Sequence, residues 1–378
     1  MYYINIILLV IYACVLLWVR PTQGKKKIFC VLGATNWILL SGLRHVSIGP
    51  DTKVYQYAFY NSKYDSWSTL FENFRNTIFN WNIITDYSMQ TSEETGEGVF
   101  SLLLGENALA VKDPGYAILC KAFYTIFPNY TAFLIFIAIV FTVPLAILIY
   151  RHSSEPLMSF LIYSCLFYSF FAITGHRQTL ATGIALMSYL AFAEKKKFLP
   201  FLATILLAYP LHKSVLCFIP IYFLQYIKMD RKKIVAVLII FPIVFILRGP
   251  ITSLLANIGG YEGYDRQYAG AGAYTFTLVY LVLMVASLWK GKDAIEIHPE
   301  INTMLATIAF AFLLTPTTFI DPSLMRLVQY YSIFLVVYIP SLIMAFDDRE
   351  TLFAYVLALF VLIGLFAKNN PHYLFFWQ

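Results

Sequence analysis

The chain has 378 residues, 60% hydrophobic and 18% aromatic, with only 13% charged and a formal net charge of +6. Soluble domains carry about 25% charged residues, so there is too little charge here to cover a water-facing surface. Long apolar stretches recur from one end to the other, which excludes a soluble fold and specifies an integral membrane protein.

A helix rises 1.5 Å per residue, so crossing a hydrocarbon core of about 30 Å takes roughly 20 apolar residues. On that measure the chain reads as an all-α polytopic membrane protein forming one membrane domain, residues 1–378. Twelve spans are expected, at 3–19, 28–43, 130–150, 157–174, 178–193, 197–211, 214–227, 234–247, 273–289, 301–319, 324–345 and 351–367. The first run lacks a basic leader and a small-residue cleavage site, and reads as a retained helix. The segment 114–128 is short, holds Lys121 and lies between Pro114 and Pro128. Cys14, Cys30, Cys120, Cys165 and Cys217 all lie in apolar runs, at spacings that indicate neither disulfides nor a metal site.

Orientation decides how 114–128 is placed. The basic runs Lys25-Lys26-Lys27, Lys195-Lys196-Lys197 and Arg231-Lys232-Lys233 fall in one set of alternate loops, which the positive-inside rule makes cytoplasmic. Arg151, Lys290 and Lys292 join them only if 114–128 does not cross. It is therefore expected to be a half-helix or interfacial helix, with both termini outside the cytoplasm. Two outer loops are long, 44–113 with interfacial segments and the Gly/Tyr-rich 248–272.

The outer ends carry the polar motifs. In "GLRHVSIGPDTKVYQY" Arg44 and His45 close the second span, and the Gly49-Pro50 turn returns Asp51 and Tyr55 toward the helix ends. Asp51 is then placed either to orient Arg44 or to act as a general base; His45 is either a further site group or a helix cap. In "TGHRQTLATG" Gly175 ends the fourth span and His176, Arg177 and Gln178 open the fifth. Arg there opposes the helix dipole, whereas guanidinium and free N–H groups together suit a phosphate. In "YPLHKSVL" His212, Lys213 and Ser214 form a very short outer turn after Pro210. In "FIDPSLMRLVQYY" Asp321-Pro322 has the form of an N-cap with Pro at the first position. Arg326 lies a turn inside the eleventh span with Tyr330 at i+4, and an ionisable residue in a span ordinarily faces the protein interior. Arg266 in the second long loop is either a mobile clamp or a solubilising charge. No phosphate-cradling Gly loop, metal-ligand spacing or nucleic-acid motif is present.

In this order, with "DPGY" at 113–116 between the first and second motifs, the chain resembles the EpsG-like family of bacterial membrane proteins, related to Wzy-type polysaccharide polymerases. The resemblance covers nearly the whole chain and implies a GT-C-like glycosyltransferase architecture in the bacterial cytoplasmic membrane. It implies polymerisation of undecaprenyl-pyrophosphate-linked repeat units at the outer face, for capsule, exopolysaccharide or O-antigen. Partners would be the lipid-linked oligosaccharides, membrane lipids, and a flippase and chain-length regulator of the same pathway, with no nucleic acid and no cofactor. On that chemistry Arg44, Arg177, Arg326 and Arg266 bind the pyrophosphate without metal. Asp51, His176 and His212 are the base candidates in that order, supported by His45, Gln178, Lys213 and Tyr330. Two rivals stand beside it. A lipid-linked oligosaccharide flippase would carry cations through the membrane depth, and a membrane-bound O-acyltransferase would place its site on the cytoplasmic side.

Overall fold

The computed structural model describes residues 1–19, 22–49, 51–79, 113–259, 273–369 and 372–378. Among them every regular element is helical, apart from one isolated antiparallel bridge between Arg44 and Phe375. Hydrocarbon offers the backbone no hydrogen bonds, so apolar stretches of this length must close their own as helices.

At the centre is the helix Tyr130–His152. Asn129 caps it by accepting the Ala132 N–H at 3.0 Å, and Arg151 and His152 occupy its last turn, where cations suit the dipole. Helices Gln23–Gly42 and His176–Ser188 pack along it. The side chains of Trp37, Phe133, Phe141, Phe160 and Tyr163 are buried in the helix interfaces.

Each of the twelve expected stretches carries helix, and half of them run as one unbroken helix. Tyr130–His152, Tyr274–Ile297, Ile301–Phe319 and Asp348–Lys368 are long and apolar enough to cross a membrane. Two bent pairs bring the candidates to six: Arg231–Ile246 with Arg248–Leu254 at 81°, and Pro322–Ser332 with Leu335–Ile343 at 58°. Outside these, Tyr2–Leu16 and Gln23–Gly42 are unbroken helices of 15 and 20 residues, while other stretches are interrupted for identifiable reasons. Pro156–Ile162 runs into π-helical turns at Tyr163–Phe167 and Ser169–Ile173. Phe198–Ala208 stops before Pro210, and Lys213–Phe218 is a 3₁₀ turn before Pro220. The segment between Pro114 and Pro128 is a single helix, Pro114–Ile126; its 13 residues reach about 20 Å, short of a crossing.

Polar contacts gather at two opposite groups of helix ends. At one, Lys26 Nζ donates to Ser153 O at 2.8 Å, and Glu194 meets Arg151 at 3.5 Å and His152 at 2.7 Å. Lys290 faces Asp347 at 3.9 Å, and Asn302 joins Ile227 O at 2.8 Å. The other group holds Arg44, Asp113, His176, Arg177 and His212. Every one of these contacts joins loops that the charge pattern assigns to the same side.

Candidate functional site

Two glycines shape the site. Gly175 has φ +64°, a left-handed conformation open to Gly at little cost. It turns the chain out of the π-helical segment so that His176, Arg177 and Gln178 begin the next helix. Gly115 touches the 209–213 turn, its N–H donating to Pro210 O at 3.0 Å. A Cβ there would lie 2.6 Å from Pro210 Cβ and 2.8 Å from its carbonyl carbon. That approach sets Asp113, two residues before, beside His212. Gly115→Ala should cost about 1–3 kcal/mol by overpacking and pull Asp113 from His212. A lowered melting temperature in detergent, with activity reduced in the folded fraction, is the expected reading.

The side chains then interlock. Arg177 forms an ion pair with Asp113 through Nη1 and donates from Nε to Tyr55 OH at 3.3 Å. The Tyr55 ring stacks on His176 with centroids 4.3 Å apart. At the edge of the His176 ring, Arg44 Nη2 lies 2.8 Å from His176 Nε2 and 3.1 Å from Ile173 O, while Nη1 donates to Ser41 O. A guanidinium has only donors, so His176 Nε2 accepts; this hydrogen-bond network assigns the imidazole proton to Nδ1. His212 Nδ1 is 3.7 Å from Asp113 Oδ2, longer than a hydrogen bond but close enough for the carboxylate to orient the ring.

The charge balance is uneven. Arg44 is 3% exposed and Arg177 9%; Asp113 answers Arg177, while Arg44 meets no carboxylate among the described residues. Arg44 Nε, His176 Nδ1 and both nitrogens of His212 have no hydrogen-bond partner among those residues. A buried cation lacking a counter-charge is costly, so this arrangement is suited to receive an anion. At the turn outside the spans, burial pushes the His212 imidazole below its ordinary value; the Asp113 charge opposes the shift, and Arg177 and Arg326 reinforce it.

The expected site residues divide by position. Arg44, His176, Arg177, Gln178, His212 and Lys213 are all buried at this end. Gln178 Nε2 donates to Arg326 O at 2.9 Å and to Gln329 Oε1 at 3.1 Å, fastening the Arg177 helix to the one at Met325–Ser332. Tyr330 is fully buried, its hydroxyl 3.1 Å from Ser214 Oγ. Arg326, in the first turn of that helix, is exposed. Asp321 caps the turn Pro322–Leu324 by accepting the Ser323 N–H at 2.7 Å. Asp51 heads the helix Thr52–Asn61, half-buried, and Arg44 turns instead to Ser41, Ile173 and His176. His45 Nδ1 pairs with Ser47 Oγ at 2.8 Å and accepts the Ser47 N–H at 3.2 Å, closing its own turn. Arg266, Pro50 and most of both long loops lie outside the described residues.

One site group, Asp113, was given no role from the sequence. Asp113 sits in "DPGY", where a cap before Pro explains it structurally. Tyr55 is expected near the helix ends through the Gly49-Pro50 turn, but without its contacts to Arg177 and His176. The available signal was the sidedness of Asp113, an acid placed with the outer cations.

A family model described as the EpsG family matches residues 27–376. No curated protein and no solved structure matches the chain.

Proposed function

Because the chain belongs to the EpsG family, a Wzy-type polysaccharide polymerase family, we propose that it polymerises undecaprenyl-pyrophosphate-linked oligosaccharide repeat units by glycosyl transfer. The reading places it in the bacterial cytoplasmic membrane, with its site at the outer face. The observation that carries it is the buried, positively unbalanced cluster of Arg44, Arg177 and His176, with donors left open.

In the proposed reaction a hydroxyl at the non-reducing end of one lipid-linked repeat attacks the anomeric carbon of the chain on another. The new glycosidic bond forms as the carbon–oxygen bond to pyrophosphate breaks. The hydroxyl proton passes to His212 Nε2, with Asp113 holding the ring from the Nδ1 side. Charge accumulating on the leaving pyrophosphate is met by Arg44, Arg177 and the His176 Nδ1–H, donors set before the reaction begins. Arg326, exposed at the rim, and Arg266 supply further cations to the same group. Asp51 is the second base candidate, and Lys213 and Gln178 hold the turn and helix that carry His212 and Arg177.

The reading asks for no cofactor, since guanidinium groups supply the positive charge. It takes the interrupted apolar stretches as broken crossings of a twelve-span, GT-C-like fold, working beside a flippase and a chain-length regulator. The contacts between these loops support the grouping of helix ends that the charge pattern assigns to one side.

The test is reconstitution. Purified protein incubated with lipid-linked repeat unit and a chelator should yield a ladder of lengthened products. An impermeant thiol reagent applied to intact cells should label Ser47→Cys, and should label Lys196→Cys only after permeabilisation. Transport of single repeats across vesicles without elongation would overturn the polymerase reading, and the reversed labelling pattern would overturn its sidedness.

A further inference from the structure

The last seven residues, 372–378, do not trail away. The His45 N–H donates to Leu374 O at 2.8 Å and the Phe376 N–H to Leu43 O at 2.9 Å, so Phe375 stands directly opposite Arg44. Tyr373 meets the ring of Tyr2 edge-on at 5.2 Å. Gln378 folds back to accept the Phe375 N–H at 2.8 Å. The segment is tied at the residue that supplies the unbalanced buried cation.

What it presents there is aromatic. Phe375 and Trp377 stack 4.3 Å apart with their planes 10° from parallel, and Phe376 meets Trp377 edge-on at 4.9 Å. Phe376 is 47% exposed and Trp377 62%. A ring held from behind by another ring, with its outer surface open, is a rigid apolar plate with a polar N–H at one edge. The C–H faces of a pyranose pack against such a plate while its hydroxyls stay in water.

We propose that the tail 372–378 is a sugar-binding wall of the anion site, with Trp377 stacking on a pyranose of the oligosaccharide whose phosphate Arg44 receives. This rests on the polymerase reading for the ligand's identity, though not for its binding. Trp and Tyr also gather at membrane interfaces as plain anchors. The pairing across Arg44 favours the sugar, because an anchor has no need to be fixed to the site.

The probe is the soluble oligosaccharide released by mild acid from the lipid-linked pool of the source cells. It should quench tryptophan fluorescence saturably in the parent chain, and Trp377→Phe should abolish that change, leaving the five other tryptophans unresponsive. In the polymer assay Trp377→Ala should raise KM for the lipid-linked repeat about fivefold with kcat little changed. Trp377→Phe, which keeps a stacking ring, should stay near the parent value. Quenching that survives in Trp377→Phe, or an unchanged KM in Trp377→Ala, would overturn the proposal. So would quenching of Trp377 by brominated lipid with no response to the sugar. A missing ladder alongside intact Trp377-dependent quenching would count against the polymerase reading and leave the sugar wall standing.

Discussion

Asp113→Ala and Arg177→Ala should each destabilise the protein by about 3–5 kcal/mol, and the double variant by clearly less than the two together. Asp113 is 2% exposed and Arg177 9%, so neither charge is relieved by water when the other is removed. Each single variant takes from one of them the opposite charge it is paired with; the double removes both. The pair also ties three segments that lie far apart in sequence. Arg177 opens the helix His176–Ser188, Asp113 starts Pro114–Ile126, and Tyr55 on Thr52–Asn61 receives the second guanidinium contact. Denaturation in detergent for the parent and three variants gives the coupling directly. A coupling of about 1–3 kcal/mol is expected, with the product ladder lost in all three; additive losses would mean the two charges do not depend on each other.

That dependence also shows where sequence reasoning reached its limit. Arg177 was legible because a guanidinium in the first turn of a helix works against the dipole, leaving a ligand as the better explanation. Arg44 was legible as a cation ending an apolar run. Asp113 has a sufficient local explanation as the residue before Pro114, and its role arises only from the contact of Gly115 with Pro210, nearly a hundred residues away. The Gly49-Pro50 turn brings Tyr55 toward the helix ends, but its stacking on His176 is encoded by no spacing.

Span lengths failed to read through for a different reason. Hydropathy counts apolar residues and does not register the π-helical turns at 163–173, or that the 3₁₀ geometry begun at Lys213 and Ser214 continues through the apolar residues to Phe218, because there geometry breaks without a break in polarity. Arg326 shows the limit of periodicity. Spacing i, i+4 puts it on the face of Tyr330, but Arg326 lies in the helix's first turn, where it is exposed while Tyr330 is buried.

The second large effect is expected at His212. His212→Gln should lower kcat by about 10²–10⁴-fold, the usual worth of a positioned general base, and should move KM much less. The sign of the pH dependence follows from its surroundings. A base works in its neutral form, and burial, with Arg177 and Arg326 nearby, depresses the His212 imidazole below its ordinary 6.5. Activity should therefore persist below that value and fall only as pH drops through the depressed pKa. In His212→Gln the residual rate should lose this acid limb. His176 is the control, because its Nε2 is occupied by Arg44 at 2.8 Å and its proton sits on Nδ1, making it a donor to the leaving group. His176→Gln should reduce the rate while leaving the acid limb in place. If the limb vanished with His176 and survived the loss of His212, the base assignment would have to be exchanged between the two histidines.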